Sequence, residues 1–543
     1  MKRSMTLLTT LVLIMTTAGI EAQERAEMAV INGKIWTVDE SNPWAEAVAV
    51  TGGRIVAAGP YSEVRRYIGR RTEVLDVEGA FVMPGFFDSH CHFSGGGQRL
   101  SQLDFSRVFT IEAIQEILAE AVAETPPGES IFALGSFPNE QIFGGLGWPT
   151  KEMLDAVSPD NPVVVNRGGG HAVWLNSQSL AISGITGETE APEGGEIVLD
   201  PETGELTGIL KEAASSLVRV PGNWTPRAYI EVALDYAKQV GITTISTGAS
   251  SQDIDIFREL QQGGDLTIRV TAWLGLGGLD RYIEEGIEQD RESDWVRIGL
   301  LKGFIDGTIG VRSALMFEDF TEEPGNSGLA QYEEEEFYRV VAKAHEHGYQ
   351  VGVHAIGDRA VHWTLNAYER AQQQYGQKGL RHRVEHATVI AIDDVPRFAE
   401  LGVIASMQPS ITGGQAYREQ RLGVERSHRV DMWRSLLETG AWLSWGTDWP
   451  VSDIDPRINL MGLVTRYPEQ RLTMEEAIRH YTLGSAYANF WEDDLGSLEV
   501  GKLADMVVLS KNLLEIYPYQ ILQTEVLQTI VGGKVVYSRD DRD

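Results

Sequence analysis

The stretch PGFFDSHCH, residues 84–92, follows the apolar run FVM and ends in two histidines separated by one residue. Successive side chains of an extended strand alternate between its faces, so His90 and His92 point the same way and Cys91 points the other. Two imidazoles on one face are able to reach one metal ion. The pair closes an apolar run and is followed by SGGG, residues 94–97. At this spacing a histidine pair alone is a weak sign of metal binding, and its weight depends on what the rest of the chain puts beside it.

Outward from this segment, strand-like and helix-like patterns alternate through the middle of the chain, which points to a parallel α/β core. The strand-like runs are FVMPGFFDSHCH, IFALGSF, PVVVNRG, GITTISTGA, IRVTAWL, IGLLKGFID, QVGVHAIGD, RHRVEHA, GVIASMQP and AWLSWGTDWP. That is two more than a (β/α)8 TIM barrel needs. IFALGSF and PVVVNRG lie in a Gly- and Pro-rich region that also holds the hairpin-like EIVLDPETGELTGIL, and they are assigned to an insertion at about 104–225. The choice is guided by where the polar strand ends fall, not by periodicity alone. The two ends of the chain share a different texture. Gly-Gly turns at 52–53 and 532–533 sit between short apolar runs, a hairpin signal. The expected fold is therefore α/β: a distorted TIM barrel over 81–494 with an insertion, plus a small β-sandwich built from 23–80 and 495–543.

The chain has 543 residues, enough for a large catalytic domain with a satellite. Its formal net charge of −32 argues against nucleic acid and anionic membrane surfaces as partners. Lys2 and Arg3 precede a mostly apolar run at residues 7–14, with small or polar residues through Ala22. The run is too short to span a bilayer and fits a cleaved signal peptide over 1–22, so export to a periplasm or the medium is expected. No later segment reaches membrane-spanning length, so no stable membrane insertion is expected. Cys91 is the only cysteine, which excludes an intrachain disulfide. The sequence leaves a homodimer open.

Further polar residues stand at strand ends. His354 ends QVGVH and His386 ends RVEH; each alone reads as well as a structural histidine. His345 and His347, in AKAHEHG, are two apart on a helix and do not share a face; they read as a surface helix terminus. His382 begins its strand and belongs at the opposite end of the barrel. Asp448 closes AWLSWGTD, where it is either a turn or cap residue or the partner of a metal-bound water. Lys302, inside the apolar IGLLKGF, either snorkels to the rim or carries a carbamate formed with carbon dioxide.

These motifs, in this order, resemble the amidohydrolase superfamily. KGFIDGTIGVRSA, GVHAIGDRA, RVEHA and SWGTDWPV are similar to amidohydrolase family 3, the group that includes N-substituted formamide deformylases, and LGSLEVGKLADMVVLS resembles the C-terminal segment of the superfamily. The likeness runs from about residue 29 to 537. It implies that His90 and His92 bind a first metal, His354 and His386 a second, that carboxylated Lys302 bridges them, and that Asp448 completes the first site and acts as the catalytic acid and base. Two divalent ions are implied, zinc before manganese or iron. The implied reaction is hydrolysis of a non-peptide, amide-like C–N bond of a small molecule by a metal-bridged hydroxide. Esters, lactones and aminated rings are alternative substrates, and a non-catalytic metal-containing binding protein is an alternative class. GGGHAVWLN departs from the family pattern, with Gly169 where an aspartate is usual, while His171, Trp174 and Asn176 match. His171, Trp174, Asp306, Arg312, Arg359 and Gln408 are the candidates for substrate contacts.

Overall fold

The computed structural model describes residues 25–542 apart from 106–107, 136, 138–139, 144–147, 168–171, 193–194, 223–224 and 412. The expected signal segment and His171 lie outside the described residues.

Eight parallel strands form the core: β1 (Phe86–Cys91), β2 (Ile242–Gly248), β3 (Arg269–Gly275), β4 (Val296–Phe304), β5 (Val351–Ala355), β6 (Arg383–His386), β7 (Ile404–Met407) and β8 (Leu443–Trp445). Each pairs with the next in chain order, and helices such as Pro226–Gln239 and Glu334–Glu346 cover the outside. Thr225 caps the first of these helices by accepting from the Ala228 amide, ahead of Pro226 at its first turn. The result is a TIM barrel.

The seam between β1 and β8 closes without a regular ladder. The Asp448 amide donates to the His90 carbonyl at 2.7 Å, and the His92 amide donates to the Trp449 carbonyl at 2.7 Å. The buried Asp88 carboxylate accepts from the Thr447 hydroxyl at 2.5 Å, the Thr447 amide at 3.2 Å and the His90 amide at 3.0 Å. Gly446 makes this approach possible, since a Cβ there would lie 2.6 Å from His90 Cβ. Beyond His92 the SGGG segment is part of a helix, Phe93–Leu100. It lies so close to Pro226–Gln239 that a Cβ on Gly97 would meet the Tyr229 carbonyl at 1.9 Å.

Two further sheets are built from both ends of the chain. One orders Arg54–Gly59, Ala47–Thr51, Met28–Ile31 and Glu73–Asp76; the other orders Lys534–Ser538, Val526–Val531, Met506–Leu509, Phe81–Pro84, Lys34–Trp36 and Trp44–Ala45. Val30, Val48 and Val50 of the first pack on Ile35, Val82, Met506 and Ile530 of the second, forming a sandwich with its own core. FVMP, read as the opening of the first barrel strand, is a separate strand here and pairs with Met506–Leu509 and Lys34–Trp36. A buried ion pair joins sandwich to barrel: Arg269 on β3 grips both oxygens of Asp505 at 2.7 and 2.8 Å. Between β1 and β2 the chain makes a six-stranded sheet running from Gly195–Leu199 to Leu103–Asp104, which contains IFALG and VVVNR.

His345 corrects the reading of a surface histidine pair, because it is buried at 1% exposure. The Val351 amide donates to His382 Nδ1, His382 Nε2 faces His345 Nδ1 at 2.8 Å, and His345 Nε2 faces the Gly376 carbonyl at 2.9 Å. Since Val351 N–H only donates and Gly376 C=O only accepts, both rings must be neutral, with fixed tautomers. Burial, reinforced by His345, pushes His382 down to about 3.

Two outcomes follow from this architecture. Gly446→Ala forces the seam apart and lowers stability by about 1–3 kcal/mol in chemical denaturation, the usual cost of overpacking. The folded chain resists protonation of His382 while the unfolded chain accepts it near the ordinary value of 6.5, so stability falls as pH drops from 6.5 toward 3, by about 1.4 kcal/mol per unit from this ring. Denaturation of metal-free protein between pH 6.5 and 5 should therefore show a shallower slope in His382→Gln than in the parent chain.

Candidate active site

The C-terminal ends of the barrel strands bring six side chains together. His92 Nε2 lies 3.1 Å from Asp448 Oδ1, and His90 Nε2 lies 3.5 Å from the same oxygen. Lys302 Nζ, on β4, is 3.3 Å from His90 Nε2. The His386 ring is 4.9 Å from that of His90 and 4.4 Å from that of His354, centre to centre. His90, His92 and Asp448 form a group whose donor atoms all lie within 4.8 Å of one another.

The outer nitrogen of three of these rings is committed to an acceptor. His90 Nδ1 meets Glu385 Oε2 at 2.5 Å, His386 Nδ1 meets Gln408 Oε1 at 2.7 Å, and His354 Nε2 meets the Gly307 carbonyl at 3.0 Å. An acceptor of this kind requires an N–H, which leaves the lone pair on His90 Nε2, His386 Nε2 and His354 Nδ1. Burial keeps the rings unprotonated: His90 and His354 are each lowered to about 4, mainly by burial and next by Lys302. Burial also lowers Lys302 to about 8. Asp448 is pushed up by burial, but the hydrogen bond from His92 and the charges of His90, His92 and Lys302 outweigh this and hold it below the usual carboxylate range. The arrangement brings imidazole nitrogens, one amine and one carboxylate together at one mouth.

Two of the six residues hold backbone conformations that L-residues seldom adopt, His386 at φ 72° and Asp448 at φ 54°. Each costs on the order of 1–3 kcal/mol and persists where surrounding bonds over-determine it. At β6 the left-handed turn ends the strand's alternation, so Glu385 and His386, adjacent in sequence, both contact partners at this one mouth.

Glu385 and Arg383 were not identified from sequence, and they form the support of the cluster. Arg383 Nε lies 2.6 Å from Glu385 Oε1, and its terminal nitrogens donate to the Ser89 carbonyl, Ser406 Oγ and Asn489 Oδ1. Both residues are buried. Burial opposes the charge of Glu385, but Arg383 and His90 override it and hold this carboxyl well below its ordinary range. The available signal was two opposite charges two apart in an otherwise apolar strand, RVE.

Several residues expected to contact substrate have partners within the protein. Asp306 is 1% exposed and accepts from the Leu315, Ile356 and Gly357 amides, so it braces the loops after β4 and β5. Arg312 pairs with Glu322 and Glu323, and the Arg359 guanidinium lies over the Trp363 ring. Trp174 is buried in the core of the insertion against Phe137 and Phe143, its indole N–H donating to the Thr150 carbonyl. None of these four is among the described residues lining the cleft beside the cluster; Gln408 does line it, and it also holds His386.

The model of the amidohydrolase family matches residues 73–537. The chain is 33% identical to the protein LONG AFTER FAR-RED 3 of Arabidopsis thaliana, over 94% of this chain and 92% of that one. It is 28% identical to an N-substituted formamide deformylase of Arthrobacter pascens, over 94% and 98%. The crystal structure of an uncharacterized metal-dependent hydrolase from Pyrococcus furiosus superposes with a TM-score of 0.75 at 30% identity, covering 90% of this chain and all of that one.

Removing Glu385 strands the Arg383 charge and the His90 N–H in a buried setting. Glu385→Ala is expected to lower stability by about 3–5 kcal/mol, as for other broken buried pairs, with Glu385→Gln losing less. Urea denaturation of both variants checks the order.

Proposed function

The chain belongs to the amidohydrolase family, and from that premise we propose that it is an exported, metal-dependent hydrolase acting on an amide-like, non-peptide C–N bond of a small molecule. The observation that carries this reading is the convergence of His90, His92 and Asp448 with Lys302, His354 and His386 at one barrel mouth. The export part rests on residues 1–22, outside those described.

The donor set fits divalent metal. Imidazole lone pairs fixed by outer hydrogen bonds, with a carboxylate beside them, are the ligands zinc favours, and such outer bonds set tautomer and orientation. His90, His92 and Asp448 would hold one ion and His354 and His386 a second. Lys302 would bridge them after its amine adds to carbon dioxide and loses a proton, giving a carbamate. Its lowering to about 8 makes the free amine accessible near neutral pH. When bound, the cations supply Lewis acidity toward the carbonyl and acidify the attacking water.

The chain's own residues do the rest. Asp448, ionised and 14% exposed on its side chain, takes the proton that the attacking water gives up. It then delivers that proton to the leaving nitrogen, which departs from a tetrahedral carbon only once protonated. Glu385 and Gln408 hold His90 and His386 in place during this exchange. The likeness to an N-substituted formamide deformylase supports amides over esters and ring amines as the substrates to try first.

Metal analysis of purified protein, with hydrolysis of simple amides, esters and aminated heterocycles, tests the reading. Asp448→Asn should lower kcat by about 10²–10⁴-fold, the usual weight of a general acid and base. Lys302→Ala should lose both bound metal and amide hydrolysis; near-parental values of both in that variant refute the bridging role.

A further inference from the structure

A cleft of about 330 Å³ opens on His354, His386 and Asp448. Ile309, Ile356, Ile411, Val451 and the ring of Tyr417 form its apolar walls. The polar groups among its described lining residues are uncharged (Thr308, Thr388, Gln408) or carboxylates (Asp431, Asp448), and no lysine or arginine is among them.

The arginines near these walls are committed elsewhere. Arg421 and Arg312 both pair with Glu322. Arg418 donates to the Ser427 carbonyl and to Gln415, and Arg426 donates to the Glu318 and Asp319 carbonyls. Recruiting any of them to an incoming anion would strip a carboxylate or carbonyl of its donor.

We propose that the group the substrate places in this cleft is uncharged and apolar, with the bulk of one six-membered ring and a short chain, and that a carboxylate at the same position is rejected. The proposal rests on the hydrolase reading for the bond that is cut, and on the cleft alone for what lies beside that bond. The volume fits: a cavity of about 150 Å³ walled by aliphatic and aromatic side chains holds a benzene, and this one is larger and continuous with the reacting groups. A carboxylate here would exchange its water for isoleucine and valine, with no lysine or arginine among the described lining residues to replace it and with the Asp431 carboxylate on the same wall. The net charge of −32 disfavours anions at long range as well. An ammonium group would lose its hydration to the same walls, and the Asp431 carboxylate is itself buried at 3% exposure. Val451, 65% exposed at the rim, and Tyr417 on the helix Gln415–Ser427 are the specificity-determining positions.

Three acetanilides test this, bearing a methyl, a carboxylate or an aminomethyl group para to the amide. Binding is measured by calorimetry on the protein as purified and after chelation, and turnover is measured separately. After chelation, which removes the ions a carboxylate could ligate, the methyl compound is expected to bind about tenfold or more tightly than either charged one. Val451→Arg, and independently Tyr417→Arg, should narrow that methyl-to-carboxylate ratio by about tenfold, because each places a guanidinium against the apolar walls. Equal or tighter binding of the carboxylate compound after chelation, or binding of none of the three in either preparation, overturns the proposal. Preferential binding of the methyl compound with no cleavage of any amide upholds it while removing the hydrolase reading on which the choice of bond depends.

Discussion

Asp88 sits where the first and last barrel strands meet, taking hydrogen bonds from the Thr447 hydroxyl and amide and from the His90 amide. With the two backbone bonds that cross the same seam, it fixes the spacing between the His90–His92 pair and Asp448. Every other part of the cluster is measured from that spacing. Strands β4, β5 and β6 add Lys302, His354 and His386 from the far wall, and they reach the histidine pair only because the sheet has curled back to meet its own beginning. Burial raises Asp88 to about 7, against the pull of its hydrogen bonds, so part of their strength is spent on keeping a buried carboxylate there at all.

Behind the cluster stands a second arrangement with a different task. Arg383 neutralises Glu385, Glu385 accepts from His90, and Arg383 also ties the end of β1 to β7 through the Ser89 carbonyl and Ser406. A lone carboxylate in such a place would protonate and release its imidazole; a lone arginine would be costlier still. Paired, they hold one ring in one tautomer and leave its inward nitrogen with a lone pair. Gln408 and the Gly307 carbonyl do the same for His386 and His354 without charge.

Much of this was legible in the chain itself. The strand runs and the paired hairpins at the two chain ends follow from alternation and turn chemistry, while the insertion could be set apart from the barrel only by where the polar strand ends fall. The six clustered residues stand at strand ends, where polar groups in apolar runs call for a reason. What escaped were features that depend on three dimensions. Glu385 drew no reading of its own, because the left-handed turn at His386 that lets neighbouring side chains work at one mouth has no sequence mark. His345 lies in what reads as a surface helix terminus, and only the fold puts His382 against it. Arg312, Arg359 and Asp306 lie near strand ends as the clustered residues do, but their side chains meet loop and helix partners that the sequence does not mark. FVMP and FFDSHC read as one strand because both are apolar, and the Pro84–Gly85 junction that divides them separates two sheets.

The sandwich carries an implication for how the molecule is assembled. Its second sheet sets Phe81–Pro84 directly against Met506–Leu509, partners that leave the ribosome roughly 400 residues apart. The first strands therefore have to wait, with valines and isoleucines uncovered, while the whole barrel is synthesised between them and the segment that will shelter them. Arg269 likewise waits inside the barrel for Asp505. Loop closure over such a span is slow, and edges left open in the meantime invite association with other chains. For this protein the last forty residues act as the clasp that ends its exposure, and trimming them would show first as aggregation during biogenesis.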